Sequence, residues 1–217
     1  MEIIVEGKGI KYFTPDQVIM NFNFITKNNN YEEVLELGSK NVEIFIIDLL
    51  EKNGFTNKDL KTKNFVIREE TKYNEQTRKY EFDGYSFNQS ATLKFCYDKE
   101  KMSKIMDEIS KLSNPPKYQI NFGLKNEEES KKEIIKEAYQ DAQNKANEIA
   151  EAAGLKLKEC VKVDFKPFTT TYISESNFGS NMMYSKANLN PAEVISKTFT
   201  PEDIELIETL YCLWLAE

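Results

Sequence analysis

Apolar and polar positions alternate with a period of two in several stretches of this chain. Val18, Met20, Phe22 and Phe24 interleave with Ile19, Asn21 and Asn23, which predicts a strand over 17–27. Residues 2–9 read as a strand before it, and 61–72 with 80–97 as a long hairpin. In the second arm of that hairpin, Tyr85, Phe87, Ala91, Leu93, Phe95 and Tyr97 share one face. Ser86, Asn88, Ser90, Thr92 and Lys94 share the other. One face is therefore expected in the core, and the opposite face in water or against a partner. The connection YNEQTRK is polar and expected to be mobile. Tyr118, Ile120, Phe122 and Leu124 alternate again, and so do Val161, Val163 and Phe165 within 157–166.

Between these strands the period lengthens to that of a helix. Val34, Leu35, Val42, Phe45, Ile46, Leu49 and Leu50 form one apolar stripe, which predicts a helix running to about Lys52. Asn30 with Glu33 resembles a capping box at its start, and Asn53-Gly54 supplies the stop. Met102, Ile105, Met106, Ile109 and Leu112 predict a second helix over 99–113, ended by Asn114-Pro115-Pro116. A third starts at Asn126, whose side chain is expected to cap it. Glu127, Glu128 and Glu129 in its first turn favour the positive end of the helix dipole. Consecutive carboxylates on a helix point in different directions, so they are read as helix-start residues and not as a metal site.

The third helix carries Ala138, Ala142, Ala146, Ala150 and Ala153 at spacings of four and three, then Gly154. Small residues on one face let a helix approach a sheet closely. The stripe is therefore read as a packing seam, with Ile135, Tyr139 and Ile149 flanking it. The end of the chain is ambiguous by propensity alone. Pro201-Glu202-Asp203 would open a helix, whereas Ile207, Thr209, Tyr211, Leu213 and Leu215 fit a strand apolar on both faces. The low-charge stretch from Pro167 to Pro191 has no clear period. It is read as an interaction loop through Phe168, Tyr172, Phe178, Met182, Met183 and Tyr184.

Composition narrows the functional classes. The 217 residues suffice for one substantial domain or two small lobes. A net charge of -7, from 29 basic and 36 acidic residues, argues against nucleic acid as a partner. There is no histidine, which removes the commonest neutral-pH base and metal ligand and every His-based triad. Cys96, Cys160 and Cys212 form no CxxC pair and are read as free thiols. No apolar run is long enough to span a membrane, and no signal peptide precedes the first strand. The chain as given is expected in the cytoplasm. A removed export signal would place it in the periplasm or outside the cell.

Candidate motifs resolve to structure. Gly7-Lys8-Gly9 lacks the upstream glycine of a phosphate loop and is read as a tight strand connection. Asp48 with Glu51, and Glu137 with Asp141, lie on charged helix faces and read as solvated surface. Trp214 is read as core. No catalytic residue, cofactor or metal is expected.

Several motifs, in order, resemble the SIMPL-domain family. VEGKG at 5–9 is similar to its opening strand, DLKTKNFVI at 59–67 to its D-[IL]-x-T strand, and GYSFNQSATLKF at 84–95 to its G-Y strand. EAYQDAQNKANEIAEAAGLKL at 137–157 is similar to its Ala-rich helix, and FTPEDIELIETLYCLWLAE to its closing segment. The order of strands and helices predicts an α+β fold, a mostly antiparallel sheet carrying three main helices, and the resemblance favours a strand at the C-terminus. It implies a single domain over 1–217, or lobes 1–98 and 99–217, with an irregular insertion at 167–198. The family is bacterial in part, with secreted or periplasmic members of unknown function, some of them immunogenic antigens, and it supplies no catalytic residues. The expectation is a non-enzymatic protein acting through protein–protein contacts, itself being the first candidate partner as a homo-oligomer. The alternative is a small-ligand or peptide-binding module in which the 167–190 loop closes over a sheet face.

Overall fold

In the computed structural model, which describes residues 1–168 and 200–217, the alternating stretches become seven strands in two antiparallel sheets. The order is β1 (Glu2–Phe13), β2 (Gln17–Asn28), α1 (Tyr31–Ile44), β3 (Leu60–Asn74), β4 (Lys79–Cys96), α2 (Lys99–Ser110), β5 (Lys117–Gly123), α3 (Glu127–Ala152), β6 (Leu157–Asp164) and β7 (Ile204–Ala216). The class is α+β, as the element pattern implies. Two compact units build it, and each is assembled from stretches distant in sequence.

The first unit takes residues 1–14, 124–168 and 202–217. Its sheet has the order β1-β7-β6, with α3 packed on β1 and β7. β7 pairs with β1 along its whole length, from Glu2 opposite Leu215 to Phe13 opposite Ile204. The C-terminal segment is therefore a strand. Its Leu210, Cys212, Trp214 and Ala216 are buried in one cluster with Ile3, Val5 and the helix alanines.

That cluster explains the alanine helix and corrects the reading of the two glycines. Gly7 and Gly9 do not connect strands; they sit inside β1. A Cβ on Gly7 would lie 2.0 Å from the Ala138 carbonyl oxygen, and one on Gly9 would lie 2.3 Å from that of Ile134. Two surfaces without side-chain bulk thus meet, and the helix backbone descends onto the strand. Ala138, Ala142, Ala146 and Ala150 are buried, with Ile135 and Tyr139 packed against the cluster. Ala153 is exposed and leaves the stripe, because the helix ends at Ala152. Ile149 is also exposed rather than packed in the seam. Asn126 occupies the N-cap position of α3 but makes no side-chain capping bond.

The second unit holds residues 15–123 and the sheet β3-β4-β2-β5. Val18, Met20, Phe22 and Phe24 of β2 and Phe87, Ala91, Leu93 and Phe95 of β4 face one core with α1 and α2. Asn30 caps α1, accepting from the backbone N–H of Glu32 at 2.8 Å and of Glu33 at 3.2 Å. The predicted helix to Lys52 is continuous but not uniform. It widens into a π-helical turn at Phe45–Leu50, tightens to a 3₁₀ turn at Glu51–Asn53, and stops at Gly54 with φ 77°. The segment YNEQTRK is more structured than expected. β3 runs to Asn74 and β4 starts at Lys79, and Asn74 Oδ1 accepts from the N–H groups of Gln76 and Thr77 to set the turn.

Candidate functional site

Two surfaces of the second unit carry chemistry that the core does not require. The first is aromatic. In the β3–β4 hairpin Ile67 pairs with Phe87, Glu69 with Tyr85, Thr71 with Phe82, and Tyr73 with Tyr80. The register shifts between Glu69 and Thr71, where β4 has one more residue than β3. Gly84, at φ 93°, absorbs that shift in the left-handed region that glycine tolerates. A Cβ there would lie 2.8 Å from the Asn28 carbonyl oxygen.

The bulge has a consequence for the side chains. It returns Phe82 and Tyr80 to the face occupied by Tyr85 and Phe87, so the core face continues outward as an aromatic ladder. Ring centroids are 5.2 Å apart for Phe65 and Phe87, 5.2 Å for Phe82 and Tyr85, and 5.3 Å for Tyr73 and Tyr80. Tyr31, at the start of α1, stands edge-on to Tyr85 at 5.5 Å. Toward the tip the rings pass into solvent: Phe82 is 53% exposed and Tyr80 is 74% exposed. β3 is also an edge strand of its sheet.

The second surface is the opposite face of the same sheet, and it is polar. Asn64, Ser90, Asn23 and Lys117 stand opposite one another in one row across all four strands. Thr92, Asn21 and Gln119 form the next row, and Val66, Asn88 and Ile25 flank the first on its other side. Within the rows Thr92 Oγ1 donates to Asn21 Oδ1 at 2.8 Å, and Lys63 Nζ donates to the same oxygen at 3.0 Å. At one end Glu70 accepts from Ser86 Oγ at 2.5 Å and from Arg68 Nε at 3.0 Å. The Ser86 hydroxyl, and then the Arg68 guanidinium, hold the Glu70 carboxyl below its ordinary value. A shallow cleft of about 570 Å³ lies over these rows, with Arg68 and Lys117 among its walls.

In the first unit the polar groups are local. Lys11 Nζ bonds Glu133 at 2.6 Å and stands 4.0 Å from Glu137, and these partners raise its pKa. Such half-exposed pairs contribute little net stability. Burial pushes the Cys212 thiol up to about 11, while the Cys160 thiol donates to the Lys162 carbonyl at 3.4 Å. Trp214 is core, as expected, and its Nε1 is buried without a hydrogen-bond partner. Among the described residues no cluster of three or more Cys, Asp or Glu side chains is arranged to hold a metal ion.

Of the predicted loop residues, Phe168 is half-buried, with Lys162 Nζ 4.6 Å from its ring centre. Tyr172, Phe178, Met182, Met183 and Tyr184 lie outside the described residues. The aromatic ladder escaped sequence reasoning because Tyr80 and Phe82 differ in parity from Tyr85 and Phe87. A strict period of two puts them on opposite faces, and only Gly84 between them signals the bulge. The polar face was legible as the second set of alternating residues in β4.

Among the described residues no helix is long and apolar enough to cross a membrane. No curated protein matches the chain. One family model does match, over residues 3–210, described as SIMPL, protein of unknown function (DUF541). With nearly the whole chain covered, and the order of strands and the Ala-rich helix as described, this protein belongs to the SIMPL family.

Proposed function

We propose that this SIMPL protein is non-enzymatic and works through protein–protein contacts, assembling with copies of itself through the aromatic tip of the β3–β4 hairpin. One observation carries this reading. The tip ladder of Tyr73, Tyr80 and Phe82 gains little from its own fold, since its outer rings stay largely in solvent. Aromatic residues held rigid on a hairpin and left uncovered are the usual anchors of an interface.

The flanking charges favour a second copy over an unrelated partner. Glu75, Arg78, Lys79 and Glu81 put both signs around the rings and sum to zero, so two identical tips do not repel one another. The exposed edge of β3 offers further backbone pairing in the same contact.

Hydrogen exchange at high and low protein concentration tests the proposal. Amides of residues 71–82 should exchange more slowly in the concentrated sample, and those of α3 should not change. Equal hairpin exchange at both concentrations would remove self-assembly through this surface.

A further inference from the structure

From the polar face of the four-stranded sheet we infer a second binding site, one for an acidic oligosaccharide whose sugars bear carboxylates. The face stands out against the charge of the whole chain. Over residues 17–27, 60–70, 86–96 and 117–123 it presents Lys27, Lys61, Lys63, Arg68, Lys94 and Lys117, and the single carboxylate Glu70. The chain as a whole carries -7, whereas this face sets six cations against one carboxylate, which Arg68 already pairs. A ligand seated on the face is therefore anionic.

The residues between the cations say what else it is. The central row runs Asn64, Ser90, Asn23, and its neighbour runs Thr92, Asn21, Gln119. Asn64, Ser90, Asn23 and Gln119 are exposed or half-exposed, and each can donate and accept, whereas Thr92 is buried and donates to Asn21 Oδ1, bracing the row from beneath. That pattern matches the vicinal hydroxyls of a sugar. Positions along one row repeat about every 4.8 Å from strand to strand, close to the length of one pyranose unit.

Two other anionic polymers fit less well. Single-stranded nucleic acid is held by bases stacked on aromatic rings, and the outward positions of β2, β4 and β5 carry none. Tyr118 of β5 faces the other way, with its ring 6.2 Å from that of Phe22. An acidic peptide would bind by adding a strand at the β3 or β5 edge, away from the central rows, because β2 and β4 are paired on both sides. Side-chain amides and hydroxyls, with Ile25 and Val66 beside them, are what the middle of this face has to offer. The cleft of about 570 Å³ has room for a short oligosaccharide.

Titration calorimetry of the full chain with oligogalacturonate, neutral dextran, polyglutamate and single-stranded DNA tests the site. Oligogalacturonate should bind, and the other three should bind at least about tenfold more weakly. Asn23→Ala with Asn64→Ala, both on exposed or half-exposed positions, should weaken uronate binding about tenfold with an unchanged circular dichroism spectrum. Lys117→Ala should weaken it too, by a factor that shrinks in high salt. No heat with oligogalacturonate at millimolar ligand would overturn the inference. So would equal binding of polyglutamate or DNA, or uronate binding that ignores the two asparagines.

Discussion

Gly7 and Ala138 meet backbone to backbone: a single carbon added to the glycine would sit 2.0 Å from the alanine's carbonyl oxygen. Neither group steps aside easily, because one is in a strand paired with β7 along its length and the other is in the middle of α3. Gly7→Ala should therefore push the helix off the sheet and cost about 1–3 kcal/mol, an overpacking penalty. Thermal unfolding of the variant should show it as a drop of several degrees. An unchanged transition would mean that α3 does not rest on β1 at this point.

The helix side of the same seam gives a paired comparison. Ala146 is fully buried in the cluster, whereas Ala153 lies outside the helix in solvent. Ala146→Leu should cost about 1–3 kcal/mol and Ala153→Leu about zero. Denaturant titration of the two variants side by side checks the contrast.

These packing details divide what sequence could and could not show. The alanine period and the alternation in β2 and β4 exposed both core faces, since each depends only on neighbours in the chain. The glycines were misread because their reason lies in Ala138 and Ile134, more than a hundred residues away. The terminal strand was undecidable by propensity, and its pairing with β1 joins the two ends of the chain. Family likeness supplied that answer where local preference did not. On the hairpin one extra residue at Gly84 reversed the facing of Tyr80 and Phe82, which a period-two pattern cannot register.

The thiols should differ in reactivity. Cys212 is buried and its pKa is pushed up to about 11 from 9.0, whereas Cys96 is exposed. Only the thiolate reacts with an alkylating reagent. Iodoacetamide at pH 8 should label Cys96 first and Cys212 only after denaturation, read out by peptide mass mapping. Early labelling of Cys212 would contradict its place under α3.

Acid stability should carry the mark of Glu70. Its carboxyl is held below the ordinary 4.5 by the Ser86 hydroxyl and Arg68. A depressed carboxylate contributes stability above its unfolded pKa and loses it as pH falls through the lower folded value. Glu70→Gln should therefore flatten the fall in melting temperature below about pH 4.5 and lower stability slightly at neutral pH. Melting curves across pH 2–7 check both signs. A steeper acid limb in the variant would refute the assignment.

The solution mass of the intact chain tests self-assembly through the hairpin most directly. Light scattering should be run on the wild type and on Tyr80→Ser with Phe82→Ser, with circular dichroism to verify folding. The wild type should have a mass that is a multiple of 25.3 kDa, and the folded double variant should fall to 25.3 kDa. A wild type that stays at 25.3 kDa at high concentration, or a variant that assembles as the wild type does, would contradict the proposal.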